Sequence, residues 1–125
     1  MIQPLPRYFT FSDGRGVIEG VVNFGHWKEI NLITSEAGMQ RGNHYHKNTV
    51  ELFLIIEGRI RVIAQRVKSG HFIGERDERV VLAGDAFLVE PYTNHTFEVI
   101  ERSRWINVLS EPVDQRCPDI YRLRQ

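Results

Sequence analysis

Three histidines and one glutamate stand at spacings that could hold a metal ion. His44 and His46 are two residues apart, and residues two apart on a β-strand point to the same side. Glu51 has the opposite parity, so it can join the pair only if a turn or bulge around residues 47–49 resets the register. His95 follows a proline-bearing turn and would supply a fourth ligand from a neighbouring strand. The four side chains therefore predict a metal site.

The composition of this ligand set predicts which metals it takes. Three imidazoles and a carboxylate suit one divalent transition metal, whereas calcium and magnesium prefer shells made only of oxygen. Zinc is favoured, and iron, manganese and nickel also fit. Four protein ligands leave one or two positions open for water or substrate, which favours chemistry over a purely structural role.

Other interpretations of the reactive residues fit the sequence less well. An isolated histidine pair on a strand is often a solvated surface feature, but here Glu51, His95 and spaced glycines accompany the pair. His26 and His71 are not accompanied by further ligand-type residues and spaced glycines, and they are interpreted as surface or structural histidines. The serines lie in no strand-turn-helix elbow, and Cys117 precedes a proline, so covalent catalysis has no support.

The elements that must position these residues are predicted to be short β-strands. Apolar residues come in runs of strand length, and the segment 59–62 alternates arginine with an apolar residue, as in a strand with one buried face. Turn signals separate the runs, at Asp13-Gly14, Glu57-Gly58, Ser69-Gly70 and Gly84-Asp85. The pattern predicts an all-β barrel or sandwich with little helix.

Length and charge limit the class of protein. The 125 residues fit one compact domain over residues 1–125, and 16 basic residues balance 16 acidic ones, so nucleic acid is not an expected partner. A small-molecule substrate is expected instead. One cysteine cannot form an internal disulfide, and no run has the length of a signal peptide or membrane span, so a soluble cytoplasmic protein is predicted.

A homodimer is also predicted from the sequence. The run Leu52 to Ile56 is apolar on both faces, and Trp27 and Trp105 add apolar area. A small barrel can seldom bury all of this surface alone. The tryptophans are interpreted as barrel or interface packing, because no basic stripe accompanies them as in a base-stacking platform.

The residues around the first histidines resemble the first motif of the cupin superfamily. That motif is a glycine, five residues, His-x-His, three or four residues, glutamate, six residues and glycine. This sequence meets every spacing between residues 38 and 58, at Gly38, His44, His46, Glu51 and Gly58.

The second cupin motif, between residues 84 and 99, is met in part. Gly84 and His95 keep their separation, but Pro91 is one place late, Thr93 takes the region of the second glycine, and Val99 replaces the asparagine. The metal-ligand position of the motif, His95, is therefore kept, whereas the turn before it differs from the motif. The resemblance implies a single cupin β-barrel, that is, a double-stranded β-helix or jelly roll, holding metal at the four residues named above.

A narrower resemblance implies a function. The string from Arg41 to Lys47 and the tail from Pro118 to Tyr121 resemble the cupin domain of capsular polysaccharide assembling enzymes, which epimerises a UDP-linked 4-keto sugar before a reductase domain acts. This sequence has no Gly-x-Gly-x-x-Gly fingerprint of a reductase, so any second step is expected to belong to another protein. The same string is similar, less closely at the metal set, to thymidine-diphosphate-sugar 3,4-ketoisomerases, whose histidines serve acid-base chemistry.

The resemblance implies an epimerase or isomerase of a 4-keto nucleotide sugar in polysaccharide precursor biosynthesis. In such a reaction a base removes the proton beside the carbonyl and a cation stabilises the enolate. Tyr92, Tyr45 or a partly displaced ligand are the candidate bases. Four cations are candidates for holding the pyrophosphate, although arginines on alternating strand positions are as often a solvated face: Arg41, Lys47, Arg59 and Arg61.

Two other classes of function remain open on the sequence. The same ligands could hold iron in a metal-dependent dioxygenase. A non-catalytic sensor or storage barrel would bind a small molecule without turnover.

Overall fold

The structure, a computed structural model, describes residues 2–123, which form nine β-strands. The described residues hold no helix, and so none that could cross a membrane. The strands are β1 (Ile2–Pro4), β2 (Phe9–Asp13), β3 (Gly16–Gly20), β4 (Glu29–Ser35), β5 (Gln40–His44), β6 (Glu51–Lys68), β7 (His71–Leu82), β8 (Ala86–Val89) and β9 (Thr93–Leu109).

Two long strands, β6 and β9, organise the main sheet. They pair antiparallel from Glu51 opposite Leu109 to Arg66 opposite Thr93. β8 and then β7 flank β6 on its other edge, while β5 and then β4 flank β9. β1 extends the sheet beyond β8. This is the all-β cupin fold that the sequence predicts.

Alternate residues of the long strands fill the core. Ile60 and Val62 have no exposed surface, whereas Arg59 and Arg61 on the same strand are exposed, which confirms the predicted alternation. Burying each such aliphatic side chain contributes about 1.5–3 kcal/mol. The core continues through large side chains on β6, β8 and β9, among them Phe53, Ile55, Phe87, Phe97 and Trp105.

The run Leu52 to Ile56 is only partly exposed at its outer side. Leu52 is 3% exposed and Leu54 is half-buried, while Ile56 is 43% exposed. Trp105 is 1% exposed and belongs to the core of the chain itself, and Trp27 donates its indole N–H to the Phe24 carbonyl at 2.9 Å. The outer surface that a partner could cover therefore lies mainly elsewhere.

Three of the four named turn predictions are confirmed, and the one at Glu57-Gly58 is wrong. Asp13-Gly14, Ser69-Gly70 and Gly84-Asp85 lie in or beside the connections between consecutive strands. At Gly58, by contrast, β6 continues, and register shifts between Ile55 and Ile60 mark β-bulges. The glycine serves a bend of the strand rather than a reversal of the chain.

Gly58 allows β6 and β9 to approach each other at this bend. Its φ is +98°, and a Cβ there would lie 2.6 Å from the Arg102 carbonyl oxygen and 2.1 Å from the Ser103 hydroxyl. That hydroxyl accepts a hydrogen bond from the Arg59 N–H at 3.1 Å and donates to the Glu101 carbonyl at 2.7 Å. Only glycine combines this backbone conformation with this contact.

We predict that Gly58→Ala destabilises the protein by about 2 kcal/mol or more, because it adds a backbone clash to the strain of a positive φ. Gly38→Ala is the matched control: its φ is +83°, but an added Cβ would meet no atom within 4 Å. That control should cost about 1 kcal/mol. Urea unfolding of both variants measures the difference, and equal losses would show that close packing at Gly58 contributes nothing.

Candidate metal centre

The structure brings His44, His46, Glu51 and His95 together. One potential ligand atom from each lies within 4.8 Å of all the others. His44 ends β5 and pairs with His95 on β9, and the ring centroids of these two histidines are 4.9 Å apart. Glu51, His46 and His95 are buried and His44 is half-buried. The cluster lies against the core, since the Phe97 ring is 5.7 Å from that of His95.

A bulge in β5 and a loop after it create this convergence. The register between β5 and β9 shifts between Gly42 and His44, where Asn43 has a φ of +58°. Gly42 has a φ of +84°, and a Cβ there would lie 2.7 Å from the His95 carbonyl oxygen. Residues 45–50 then leave the strand before β6 begins at Glu51. This is the change of register that the parity of Glu51 requires.

Hydrogen bonds to backbone carbonyls set the tautomers of two of the histidines. His46 Nδ1 contacts the Asp119 carbonyl, and His95 Nδ1 lies 3.0 Å from the Thr93 carbonyl. A carbonyl oxygen only accepts, so each Nδ1 carries the proton and each Nε2 presents a lone pair. Metal-binding histidines are usually held in this way.

Three buried ring nitrogens of the cluster are without an ordinary hydrogen-bond partner: His44 Nδ1, His46 Nε2 and His95 Nε2. Two of them, His46 Nε2 and His95 Nε2, lie beside the Glu51 carboxylate, at 2.5 and 3.5 Å. Leaving a polar atom buried without a partner costs about 1–3 kcal/mol. The 2.5 Å contact between His46 Nε2 and Glu51 Oε1 is one that two electron-pair donors tolerate with a proton between them, and a cation bound by both atoms would displace that proton. The chemistry of the donor set therefore fits a divalent cation.

The pKa directions agree with this fit. Burial and the neighbouring imidazoles lower the pKa of His44 to about 4, and burial lowers that of His95. Burial would raise the pKa of Glu51, but the imidazoles hold it below its usual value. Burial would likewise lower the pKa of His46, but Glu51 and the Asp119 carbonyl outweigh it and raise that pKa. Burial thus favours neutral imidazoles at His44 and His95, the form in which histidine binds a metal, whereas Glu51 favours the protonated form of His46, whose extra proton a bound cation would displace.

Two adjoining cavities meet at the cluster, and His44, Glu51 and Asn107 line both. The first has a volume of about 200 Å³ and is walled on one side by residues 111–113 and 118–120 of the tail. The second has a volume of about 190 Å³ and reaches into the core beside Trp105 and Arg41. A larger cavity of about 600 Å³ lies at β1 and the turn after β7, but none of the four clustered residues lines it.

Sequence reasoning missed two polar groups that line the second cavity. Asn107 Nδ2 and Trp105 Nε1 are buried N–H donors without a hydrogen-bond partner, in side chains that are 7% and 1% exposed. The sequence signal was an asparagine two residues after an inward-facing tryptophan on a strand. Both donors suit an acceptor oxygen of a bound molecule.

Of the predicted substrate-binding cations, Arg41 alone is brought to the cavities at the cluster. Its guanidinium also contacts the Ser35 hydroxyl and lies 3.3 Å from the Thr34 carbonyl. Arg59 pairs with Glu101 at 2.8 Å, and like Arg61 it lies on the exposed side of β6. Lys47 Nζ lies 4.1 Å from the centre of the Tyr121 ring. Arg59 and Arg61 point outward because side chains alternate along β6 and its inward positions carry Ile60 and Val62.

The predicted catalytic tyrosines lie in an aromatic stack and line neither cavity. The Tyr45 ring centroid is 6.1 Å from that of Tyr92 and 5.6 Å from that of Tyr121. Tyr92 has a φ of +58°, and its N–H donates to the His46 carbonyl at 2.7 Å. Both tyrosines thus pack against the loop that carries His46.

The fold and this site define the class of protein: a cupin-type β-barrel with a buried cluster of three histidines and a glutamate beside two cavities. The chain belongs to the family described as the polysaccharide biosynthesis C-terminal domain, which matches residues 11–108. A UDP-2-acetamido-2,6-beta-L-arabino-hexul-4-ose reductase of Pseudomonas aeruginosa is 28% identical over 115 residues, covering 88% of this chain and 30% of the reductase.

Solved structures share the fold. The capsular polysaccharide assembling protein CapF from Staphylococcus aureus has a TM-score of 0.70 at 21% identity, over 94% of this chain and 34% of CapF. A dTDP-4-dehydrorhamnose 3,5-epimerase from Elizabethkingia anophelis has a TM-score of 0.74 at 22% identity, over 92% of this chain and 70% of the epimerase. A mutant of the 3,4-ketoisomerase QdtA from Thermoanaerobacterium thermosaccharolyticum was solved in complex with TDP-4-keto-6-deoxyglucose. Its TM-score is 0.72 at 14% identity, over 97% of this chain and 86% of QdtA. The chain spans about a third of the reductase and of CapF.

We predict that the purified protein carries about one divalent transition metal per chain, because three imidazoles and a carboxylate form a nearly complete set of metal ligands. A His44→Ala plus His95→Ala double variant should lose the metal in elemental analysis. The matched control, His26→Ala plus His71→Ala, removes two exposed histidines and should retain it. Metal absent from the wild type, or retained equally by both double variants, would reject the site.

Proposed function

We propose that the chain is a metal-dependent epimerase or ketoisomerase of a 4-keto nucleotide sugar in polysaccharide precursor biosynthesis. One observation carries the proposal: the N–H donors Asn107 Nδ2 and Trp105 Nε1, buried without hydrogen-bond partners, belong to side chains that line the cavity beside the metal-ligand cluster. Such a site suits a ligand rich in acceptor oxygens. The family and the named sugar-nucleotide relatives support the same class of substrate.

The reaction needs a site that lowers the energy of an enolate. Removing the proton beside a ketone places negative charge on the carbonyl oxygen, and fixed positive groups or N–H donors stabilise that charge. A divalent cation bound at the four-residue cluster would supply Lewis acidity at this point. Asn107 Nδ2 and Trp105 Nε1 would orient the sugar ring by donating hydrogen bonds to its oxygens. Arg41 is the cation placed to bind the more strongly charged part of the substrate.

A carboxylate of the first cavity is available as the proton acceptor. Three acidic residues line that cavity. Glu51 contacts the histidines, and Asp119 accepts several hydrogen bonds from residues 47–49. Glu111 is the remaining one, and its partner is the exposed Lys28, at 3.2 Å. We therefore place the base at Glu111 rather than at Tyr45 or Tyr92.

We also propose that two copies of the chain associate. The accessible surface is 7992 Å², about 1,100 Å² more than the roughly 6,900 Å² expected for a monomer of this mass. This excess is close to the area that one partner buries in a standard interface, about 800 Å². The proposal keeps the predicted homodimer and places its interface on a surface that the sequence did not single out.

The β2–β3 hairpin is the surface that we propose the second copy covers. It forms a two-stranded sheet of its own, and an isolated hairpin is marginally stable in water. Phe9, Phe11 and Ile18 share one face, and they are 44%, 53% and 59% exposed. Strand β4 exposes Ile30 and Leu32 at 71% and 58%. A second copy would cover both apolar surfaces.

We predict that the metal-loaded protein exchanges the proton beside the carbonyl of a 4-keto-6-deoxy nucleotide sugar. Incubation in heavy water with UDP- and thymidine-diphosphate-linked sugars should give a one-deuteron gain by mass spectrometry. His44→Ala should abolish the gain, and Asn107→Leu should slow it about tenfold or more, because it removes a buried hydrogen-bond donor. Exposed Asn23, changed to leucine, is the matched control and should leave the rate unchanged.

Two results would contradict the proposed reaction. Tight binding of a ligand with no deuterium uptake from either sugar would favour a sensor or storage barrel. Oxygen consumption by the iron-loaded protein, again without deuterium uptake, would favour a dioxygenase.

We predict a mass of two chains by light scattering at micromolar concentration. Phe11→Ser plus Ile18→Ser should give a folded monomer, because it removes the apolar face of the hairpin. Met39→Ser is the control, since Met39 is 58% exposed and lies outside the hairpin. A monomeric wild type would defeat the proposal, as would a double variant that stays dimeric.

A further inference from the structure

The barrel holds the 45–50 loop through His46 and Val50, whose carbonyls accept from the N–H groups of Tyr92 and Ser110 at 2.7 and 3.0 Å. The N–H groups of residues 47–49, between these points, have no partner in the barrel. Residues 45–50 lie between β5 and β6, yet they carry one metal-ligand candidate and set the position of the next. A loop without paired backbone groups would be free to move, and a buried ligand set needs fixed geometry. What holds this loop therefore decides the geometry of half of the cluster.

The carboxyl-terminal segment supplies the missing partners. Asp119 Oδ1 accepts from the Lys47 N–H at 2.9 Å, and Oδ2 accepts from the N–H groups of Asn48 and Thr49 at 2.9 and 3.0 Å. Oδ2 also accepts from the Thr49 hydroxyl at 2.9 Å. One carboxylate thus fixes three consecutive backbone N–H groups, which is an arrangement of charge-assisted hydrogen bonds.

The main chain of the same segment also forms hydrogen bonds with Tyr45, at the start of the loop. The Tyr121 N–H donates to the Tyr45 carbonyl, and the Tyr45 N–H donates to the Tyr121 carbonyl, each at 2.9 Å. Between these contacts the Asp119 carbonyl accepts from His46 Nδ1. Residues 119–121 therefore behave as a short added strand, which we call the clamp.

The clamp holds its position mainly through the loop. The hydrogen bonds of Asp119 and Tyr121 go to residues 45–49 of the loop and not to a residue of β6 or β9. Burial would raise the pKa of Asp119, but the backbone N–H donors outweigh it and keep that pKa low, so the carboxylate stays charged near neutral pH. The clamp also forms part of the wall of the first cavity.

We infer that Asp119 is a positioning residue of the metal centre, acting through His46 and the 45–50 loop. This rests on the metal site proposed above. The carboxylate fixes the loop, and the Asp119 carbonyl then keeps the proton of His46 on Nδ1, so that Nε2 faces Glu51 and the cation. The barrel core does not need the clamp, so its loss should weaken metal binding while the fold remains.

The experiment compares Asp119→Ala and Asp119→Asn with wild type by zinc competition against a chromophoric chelator. Loss of an indirect contact of this kind weakens metal binding about 10- to 100-fold, and that is the expected change. Asp114→Asn is the matched control, because Asp114 lies in the same tail and accepts N–H bonds from Arg116 and Cys117 but none from the loop. That control should bind zinc within about twofold of wild type.

A second measurement reports on His46 without metal. In the zinc-free protein, the His46 Nδ1 proton should give a slowly exchanging imidazole signal by NMR, and Asp119→Ala should lose it while His95 Nδ1, bound to Thr93, keeps its own. Far-UV circular dichroism confirms that the variants are folded. If Asp119→Ala does not fold, Asp119→Asn carries both measurements, since its side chain keeps one acceptor and the same size.

The outcomes separate this inference from the proposed function. Wild-type zinc affinity in both Asp119 variants, or an unchanged His46 signal, would overturn the positioning role and leave the proposed reaction standing. Wild-type protein that binds no zinc would reject the metal site, and the His46 signal alone would then decide whether Asp119 orients the ring. A loss of both affinity and signal, with Asp114→Asn unchanged, supports the inference.

Discussion

The antiparallel pairing of β6 with β9 is the constraint on which the rest of this structure depends. It runs from Glu51 opposite Leu109 to Arg66 opposite Thr93, so the same two strands carry most of the core and two of the four clustered side chains. The pairing can bend only where the backbones tolerate close approach. Gly58 against Ser103 provides that place, because a side chain there would overlap the neighbouring strand.

The cluster exists because the remaining two ligand candidates are delivered from outside this pair. A bulge at Gly42 and Asn43 turns His44 towards His95, and a loop held by the tail brings His46 to Glu51. Both devices rely on hydrogen bonds and on close backbone contact, so the site has a different physical basis from the core that supports it.

Burying three imidazoles and a carboxylate costs the folded protein free energy unless a partner satisfies them. Within the cluster the Glu51 carboxylate is the contact of His46 Nε2, and His44 Nδ1 is buried without a hydrogen-bond partner. Asn107 and Trp105 add two more unpaired donors a short way along β9. A barrel built only for stability would place apolar side chains at these positions, so the arrangement indicates a site selected to bind something.

The sequence by itself determined the periodic features of this protein. Alternation at residues 59–62 predicted the buried and exposed faces of β6, because strand parity depends only on position along the chain. The resemblance of the four spacings to the cupin motifs predicted that His44, His46, Glu51 and His95 meet. Tertiary structure alone decided the rest. Gly58 became a bulge instead of a turn, Asn107 and Trp105 faced the cavity, and Asp119 reached a loop about 70 residues away in sequence. These outcomes depend on which strands lie side by side, and that is fixed by contacts between distant residues that no local pattern records.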